Sequence, residues 1–352
     1  MATIDEIRKA RLQKLETLQK EGILAYPSKV KRTHTVLQAL DDFSSLAKTK
    51  KEIILVGRIK SLRGHGGSTF LDIEDGGGKI QIFLKKDRLG EKSYQFFLQN
   101  FDIGDFVGIR GILLKTKTGE KTIEAADYTM LVKSLLPLPE KWHGLQDIEE
   151  RYRKRYLDLI FSPEVKNKFM VRAQIVKETR DFLEKNGFIE VETPVLQPLY
   201  GGASAKPFKT HLNALDIDMY LRISPELYLK RLLVGGLEKV YEIGKCFRNE
   251  GVDRQHNPDF TMLEFYWAYA DYKQLMGLTE KLFSTMLKNI FGKQKITYEG
   301  KEINFKTPWQ RIEYNVLFKR YTKIDLESVN TETLRKKVKE ILGIEVKGEK
   351  AE

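Results

Sequence analysis

The chain has 352 residues, with 61 Lys and Arg against 49 Asp and Glu, for a formal charge of +12. Its hydrophobic fraction of 41% is that of a globular protein, and a chain of this length divides into two or more domains. One cysteine, Cys246, excludes an internal disulfide framework and a cysteine zinc site, and the five histidines never pair at ligand spacing. No apolar run approaches the ~20 residues of a membrane span, and residues 1–10 lack an apolar signal core, which reads as a cytoplasmic protein without a membrane partner. The basic excess suits a polyanionic partner and equally a solvated basic face.

In chain order, Ile4, Ile7, Leu12, Leu15 and Leu18 recur at helical spacing, with Thr3 and Glu6 as a capping box and Gly22 as the stop. The other face carries Arg8, Lys9, Arg11, Lys14 and Lys20. It reads either as a surface helix or as a basic helix against nucleic acid. From residue 51 the period changes to two: Ile53 to Val56, Ser68 to Glu74, Lys79 to Leu84, Asp105 to Leu114 and Thr122 to Val132 alternate as strands, with Gly76 to Gly78 and Thr118 to Glu120 at turns. Five short strands suggest a small closed barrel, the OB-fold being the common five-stranded form. Alternation puts Leu71, Ile73, Ile80, Ile82 and Leu84 on one face and Phe70, Gln81 and Phe83 on the other. Aromatic rings on a solvated barrel face can stack on unpaired bases; a ring packed under a loop is the alternative.

Residues 135–160 carry prolines and no clear period, and read as a linker. Glu164 to Asn186 is a long helix, with Phe169, Ile175, Thr179 and Phe182 as inward candidates and Gly187 closing it. Strands follow at Phe188 to Val191, Asp218 to Ile223, Val240 to Phe247 and Phe260 to Ala270. Helices lie around Pro225 to Val234, Tyr272 to Phe291 and 331–342. The mixture argues α+β with an antiparallel sheet. Strand, polar loop and strand from Tyr241 to Tyr269 form the richest stretch. If they pair as a hairpin, Glu242, Gly244, Cys246, Arg248 and Glu250 face the same side as Phe260, Met262, Glu264 and Tyr266. Glu264 among aromatic residues must be paired, protonated or bound to a cation, and a structural Arg–Glu pair would also satisfy it. The loop's Arg254, His256 and Asn257 suit phosphate binding, although a lone loop histidine is commonly just exposed.

Together, Gly187 to Leu196, Gly201-Gly-Ala-Ser-Ala-Lys-Pro-Phe208, Ser224-Pro-Glu-Leu-Tyr-Leu-Lys230, Phe247-Arg-Asn-Glu250 and His256-Asn-Pro-Asp-Phe-Thr-Met-Leu-Glu264 resemble a class II aminoacyl-tRNA synthetase. The likeness is to the subgroup with the lysine, aspartate and asparagine enzymes, and to its lysine branch. It runs over nearly the whole chain. The resemblance implies an anticodon-binding OB-fold barrel at 51–134, after a lead-in at 1–50, and a class II antiparallel-sheet catalytic domain at 161–352. It implies ATP and Mg2+ as cofactors, L-lysine and tRNA(Lys) as partners, and a homodimer through the motif 1 region, Gly187 to Leu196. Carried over residue by residue, Arg248 would clamp the substrate carboxylate and α-phosphate. Glu250, His256, Asn257 and Phe260 would hold ATP. Gly202, Glu226, Arg248, Glu264 and Tyr266 would hold lysine. Phe70 would stack on an anticodon base while Arg63 and Gln81 read edges. Asp127 stands where the family often has Glu. After residue 270 no Gly-x-Gly occurs, so the family's third motif, with its ATP-binding Arg and metal-holding acidic residues, is not found. This reads as a C-terminally incomplete catalytic domain, with an open sheet edge that invites aggregation or a partner. A non-catalytic tRNA-binding fragment, or one half of a split synthetase, is the alternative.

Overall fold

The computed structural model describes residues 3–139, 146–253 and 255–344, and the chain divides into two compact units, Met1–Val165 and Lys166–Glu352. Arg254 and linker residues 140–145 lie outside the described residues.

The first unit is built on a closed five-stranded barrel: β1 (Ile53–His65), β2 (Ser68–Glu74), β3 (Lys79–Lys85), β4 (Phe106–Lys115) and β5 (Lys121–Val132), in the order β1-β2-β3-β5-β4. Strict alternation in β2 and β3 sends Leu71, Ile73, Ile80, Ile82 and Leu84 inward, as the period-2 pattern requires. Asp75 sets the β2–β3 turn, its carboxylate accepting from the amides of Gly77 (2.7 Å) and Gly78 (3.0 Å). At Gly111, where the β4–β5 register shifts, a Cβ would lie 2.0 Å from the Glu124 carbonyl oxygen, so only glycine lets the strands cross there. A helix unread in the sequence, Glu91–Asn100, closes the barrel with Tyr94 and Phe97.

The N-terminal helix Ile4–Lys20 has the expected capping box and docks Leu18 into the barrel core. Its basic side is less free than the sequence suggested. Arg11 is buried and donates to the carbonyls of Ser134, Leu136 and Ile103, and Lys14 pairs with Asp102 at 2.6 Å. The fully buried Lys133 ammonium meets Asp102 and Asp105, so helix, barrel exit and the β4 approach are tied by one charge knot. Within the segment read as a linker, helices Ile148–Arg153 and Arg155–Phe161 form around the buried Asp158, which accepts from Arg151 and Ser162.

In the second unit the hairpin of β10 (Lys239–Phe247) and β11 (Asp259–Trp267) is extended by the short parallel β6 (Ile189–Glu190). Strands β7 (Leu196–Gln197), β9 (Ile217–Leu221) and β8 (Lys209–Leu212) form a second sheet, and β12 (Lys295–Tyr298) pairs with β13 (Lys301–Asn304). The core is small: Leu183, Phe188, Tyr241 and Leu278, edged by Phe182, Ile243, Leu263, Phe265 and Trp267. It reaches only the C-terminal half of the helix Pro163–Lys185. Thr179 and Phe182 therefore turn inward as expected, whereas Phe169 and Ile175 are exposed. Helix Tyr272–Phe291 starts with an Asp271–Gln274 capping box and ends at Gly292, and helix Thr331–Leu342 ends at Gly343, both glycines having φ +67°.

Candidate active site and nucleic-acid interface

In the β10–β11 hairpin Glu242 lies opposite Glu264, Gly244 opposite Met262, and Cys246 opposite Phe260. The alternation read from the sequence therefore holds, and one sheet face carries both acidic residues and the aromatic ring. Arg248 continues that face, its guanidinium 5.1 Å from the Phe260 ring centroid. Its Nε is buried with no hydrogen-bond partner among the described residues. Such a donor is costly unless a ligand satisfies it.

A buried ion pair absent from the sequence reading anchors this face. Arg222, just past β9, pairs with Glu242, and it donates through Nε to the Lys245 carbonyl at 2.8 Å. Thr193 donates its hydroxyl to the same carboxylate at 2.6 Å. A Cβ on Gly244 would come within 2.1 Å of the Arg222 guanidinium, so glycine makes room for the pair. The available signal was a charge, Arg222, directly after the apolar run Met219 to Leu221.

Across the hairpin from Glu242, Glu264 belongs to an acidic cluster. Ser224, buried at the head of helix Glu226–Val234, donates to Glu264 at 2.6 Å and accepts from the Glu226 amide at 3.1 Å. The Tyr266 hydroxyl donates to Glu264 at 3.1 Å. Burial, then the Glu264 and Glu226 charges, push its ionisation far above the usual phenol range. Gly202, at φ +87°, lies against both: a Cβ there would stand 2.8 Å from Glu226 Cβ and from Ser224 Oγ. Gly202, Glu226, Glu264 and Tyr266 are thus neighbours.

The β10–β11 loop is only partly joined to this cluster. Glu250 accepts from the Lys206 amide at 3.2 Å, bringing the segment after Gly202 to the hairpin. His256 turns onto Asp253, with Nδ1 2.8 Å from its carboxylate, and Asn257 is exposed. Hydrogen bonds from the Gln255 amide and from His256 hold the Asp253 carboxyl below the usual carboxylate range. Chemically, the site sets a guanidinium with an unsatisfied Nε beside an aromatic plane, on the same hairpin face as Glu264, whose cluster includes Glu226 from the neighbouring helix.

In the first unit Phe70 and Phe83 lie opposite each other on β2 and β3 and stack in parallel, with centroids 4.3 Å apart at 4°. They line a groove of about 780 Å³ with Arg63, Gln81, Lys85, Lys115 and Lys117. Arg63, opposite Phe70, is largely exposed and 3.7 Å from Asp72. Gln81 accepts from Thr122 at 2.9 Å, its amide otherwise facing the groove. Asp127 is elsewhere, paired with Arg110 at 3.3 Å. The acidic residue beside this face is Glu124, opposite Phe83 and paired with Lys85 at 2.6 Å, which the sequence reading missed. Stacked rings ringed by cations are suited to unpaired nucleotides.

Residues 147–344 match the family model of class II tRNA synthetases (D, K and N), and residues 53–134 match that of the OB-fold nucleic acid binding domain. The chain is 50% identical over 326 residues to a lysine–tRNA ligase of Carboxydothermus hydrogenoformans, covering 93% of this chain and 66% of that one. It is 49% identical over 349 residues to the Clostridium novyi lysine–tRNA ligase, covering 99% and 68%, and 52% over 309 residues to that of Pelotomaculum thermopropionicum, covering 88% and 60%. The chain thus spans about two thirds of the length of these curated relatives.

Proposed function

This chain belongs to the class II tRNA synthetases of the D, K and N group, and from that membership we propose that it carries the lysine-activating and anticodon-reading parts of a lysine–tRNA ligase. The observation that carries the reading is the unsatisfied Nε of Arg248 beside Phe260, on the same hairpin as Glu264 and Tyr266, which Ser224 and Glu226 join from the start of the preceding helix. A long cationic side chain suits two carboxylates and a phenol. An acidic substrate would be repelled there, which disfavours the aspartate and asparagine branches.

In the proposed reaction a lysine carboxylate oxygen attacks the α-phosphorus of ATP, the bond from that phosphorus to the bridging oxygen breaks, and pyrophosphate leaves. Arg248 binds both the carboxylate and the α-phosphate, neutralising charge where it accumulates. Phe260 supplies a plane for adenine, and Glu250, His256 and Asn257 complete the nucleotide side. Gly202 and Glu226 take the α-amino group, Glu264 and Tyr266 the ε-ammonium. The work is positioning and electrostatics rather than covalent catalysis. A ribose hydroxyl of tRNA(Lys) then attacks the carbonyl carbon, and AMP leaves. Magnesium, which accompanies ATP in this family's chemistry, would offset phosphate charge. The described residues bring together no group of three His, Cys, Asp or Glu side chains that could hold a metal ion.

The barrel groove would hold the anticodon, with Phe70 stacking and Arg63 and Gln81 reading edges. The exposed Phe169, Met170 and Ile175 support a homodimer formed near motif 1. The reading is cytoplasmic, consistent with no described helix being long and apolar enough to cross a membrane. ATP–pyrophosphate exchange across the amino acids tests the proposal: exchange dependent on lysine is expected, and exchange with aspartate or asparagine alone would overturn it. A second reading, a tRNA-binding fragment without catalysis, is favoured by a groove built wholly within the first unit. Saturable tRNA binding without exchange would select it.

A further inference from the structure

One cation in the acidic pocket has no part in the roles above. Lys230 lies one helical turn beyond Glu226, and its ammonium is 2.5 Å from the Glu226 carboxylate and 5.9 Å from the Tyr266 ring centroid. Glu226 is the acidic group placed against Gly202, and its charge bears on the Tyr266 hydroxyl that also serves Glu264. Two carboxylates converging on one part-buried phenol need a counter-ion. A glutamate four residues before a lysine is the favoured order for such a pair on a helix. The two partners differ in burial. The Glu226 side chain is 26% exposed and that of Lys230 is 54% exposed, so the ammonium can leave into water while the carboxylate stays.

We propose that Lys230 is a resident stand-in for the substrate's α-ammonium: it neutralises Glu226 while the pocket is empty and is displaced when an amino acid brings its own ammonium to that carboxylate. The inference rests on the lysine reading of the pocket and deepens it. Lys230 keeps the empty pocket ordered and sets a threshold that a ligand must exceed at Glu226. It is a positioning and specificity residue, not a catalytic one.

Isothermal titration of the full chain with L-lysine, and with 6-aminohexanoate, which lacks only the α-amino group, tests this. Lys230→Met is expected to tighten lysine binding two- to five-fold and leave 6-aminohexanoate unchanged, with Lys230→Arg resembling the unsubstituted chain. In a Glu226→Gln background the effect of Lys230→Met is expected to vanish. Lys230→Gln provides a second neutral variant, and far-UV circular dichroism confirms that each is folded. Unchanged or weaker lysine binding in the folded neutral variants would overturn the proposal. Equal tightening of both ligands would also overturn it, since that is a general charge effect. Failure of the unsubstituted chain to bind lysine would overturn the lysine reading itself, and the inference with it.

Discussion

The two units solve the same problem by different means. The barrel unit buries a continuous apolar cluster from Leu18 and Phe43 through Ile82 to Met130, and the stacked rings of Phe70 and Phe83 stand outside that cluster on the other face of the strands. Among the described residues of the second unit the buried apolar cluster is small, Leu183, Phe188, Tyr241 and Leu278, and the candidate site lies beside the buried Arg222–Glu242 pair. In the barrel, the apolar interior and the proposed binding face lie on opposite sides of the strands. In the second unit the polar scaffold of the site is also part of what holds the sheet together.

This contrast can be broken most forcefully at Arg222. Arg222→Met strands the buried Glu242 charge and is expected to cost about 3–5 kcal/mol. In hydrogen-exchange mass spectrometry, protection should fall across residues 189–267 while the barrel peptides keep theirs. Equal loss in both units would erase the distinction. Ile82→Ala, inside the barrel, should cost about 2–4 kcal/mol through lost burial and a cavity, with the pattern of protection reversed. Phe70→Ala sharpens the comparison from the side of function. It should weaken binding of an anticodon stem-loop by about 1–3 kcal/mol, read by fluorescence anisotropy, with little change in the melting temperature. A large fall in melting temperature would mean that the ring is structural.

The smallest effect concerns pH. Burial alone would raise the Asp102 carboxyl, but hydrogen bonds from Lys133 and Lys14 outweigh it and hold it below the ordinary range. Its folded pKa is therefore below the unfolded ~3.9. The stability it contributes is present above that value and is lost as pH falls through the folded pKa. Thermal melts between pH 7 and pH 3 should show a modest acid loss in the barrel unit that Lys133→Met reduces. A pH-independent barrel would contradict it.

The barrel was legible because alternation in β2 and β3 is unbroken, so the faces of Phe70, Gln81 and Ile82 followed from counting by two. The β10–β11 hairpin was legible for the same reason, which placed Arg248, Phe260 and Glu264 together. Features that depend on distant partners were not readable. Arg11 has the spacing of a solvent-facing residue yet donates to carbonyls more than 90 positions away. Phe169 and Ile175 have core spacing, but the core stops short of them. Lys230 looks like an ordinary helix-surface lysine until Tyr266 and Glu226 are seen to share its surroundings.

The parallel pairing of β3 with β5 sets an order of events during synthesis. β1 meets β4 only after the 40 residues between them have been made, and β3 meets β5 only after the 35 between them. β2 and β3 can form a hairpin on the ribosome at once, but the apolar faces of β1 and β3 have no closed interior until β4 and β5 emerge. The barrel therefore cannot close before β5, which ends at Val132 and pairs with both β3 and β4, has been made.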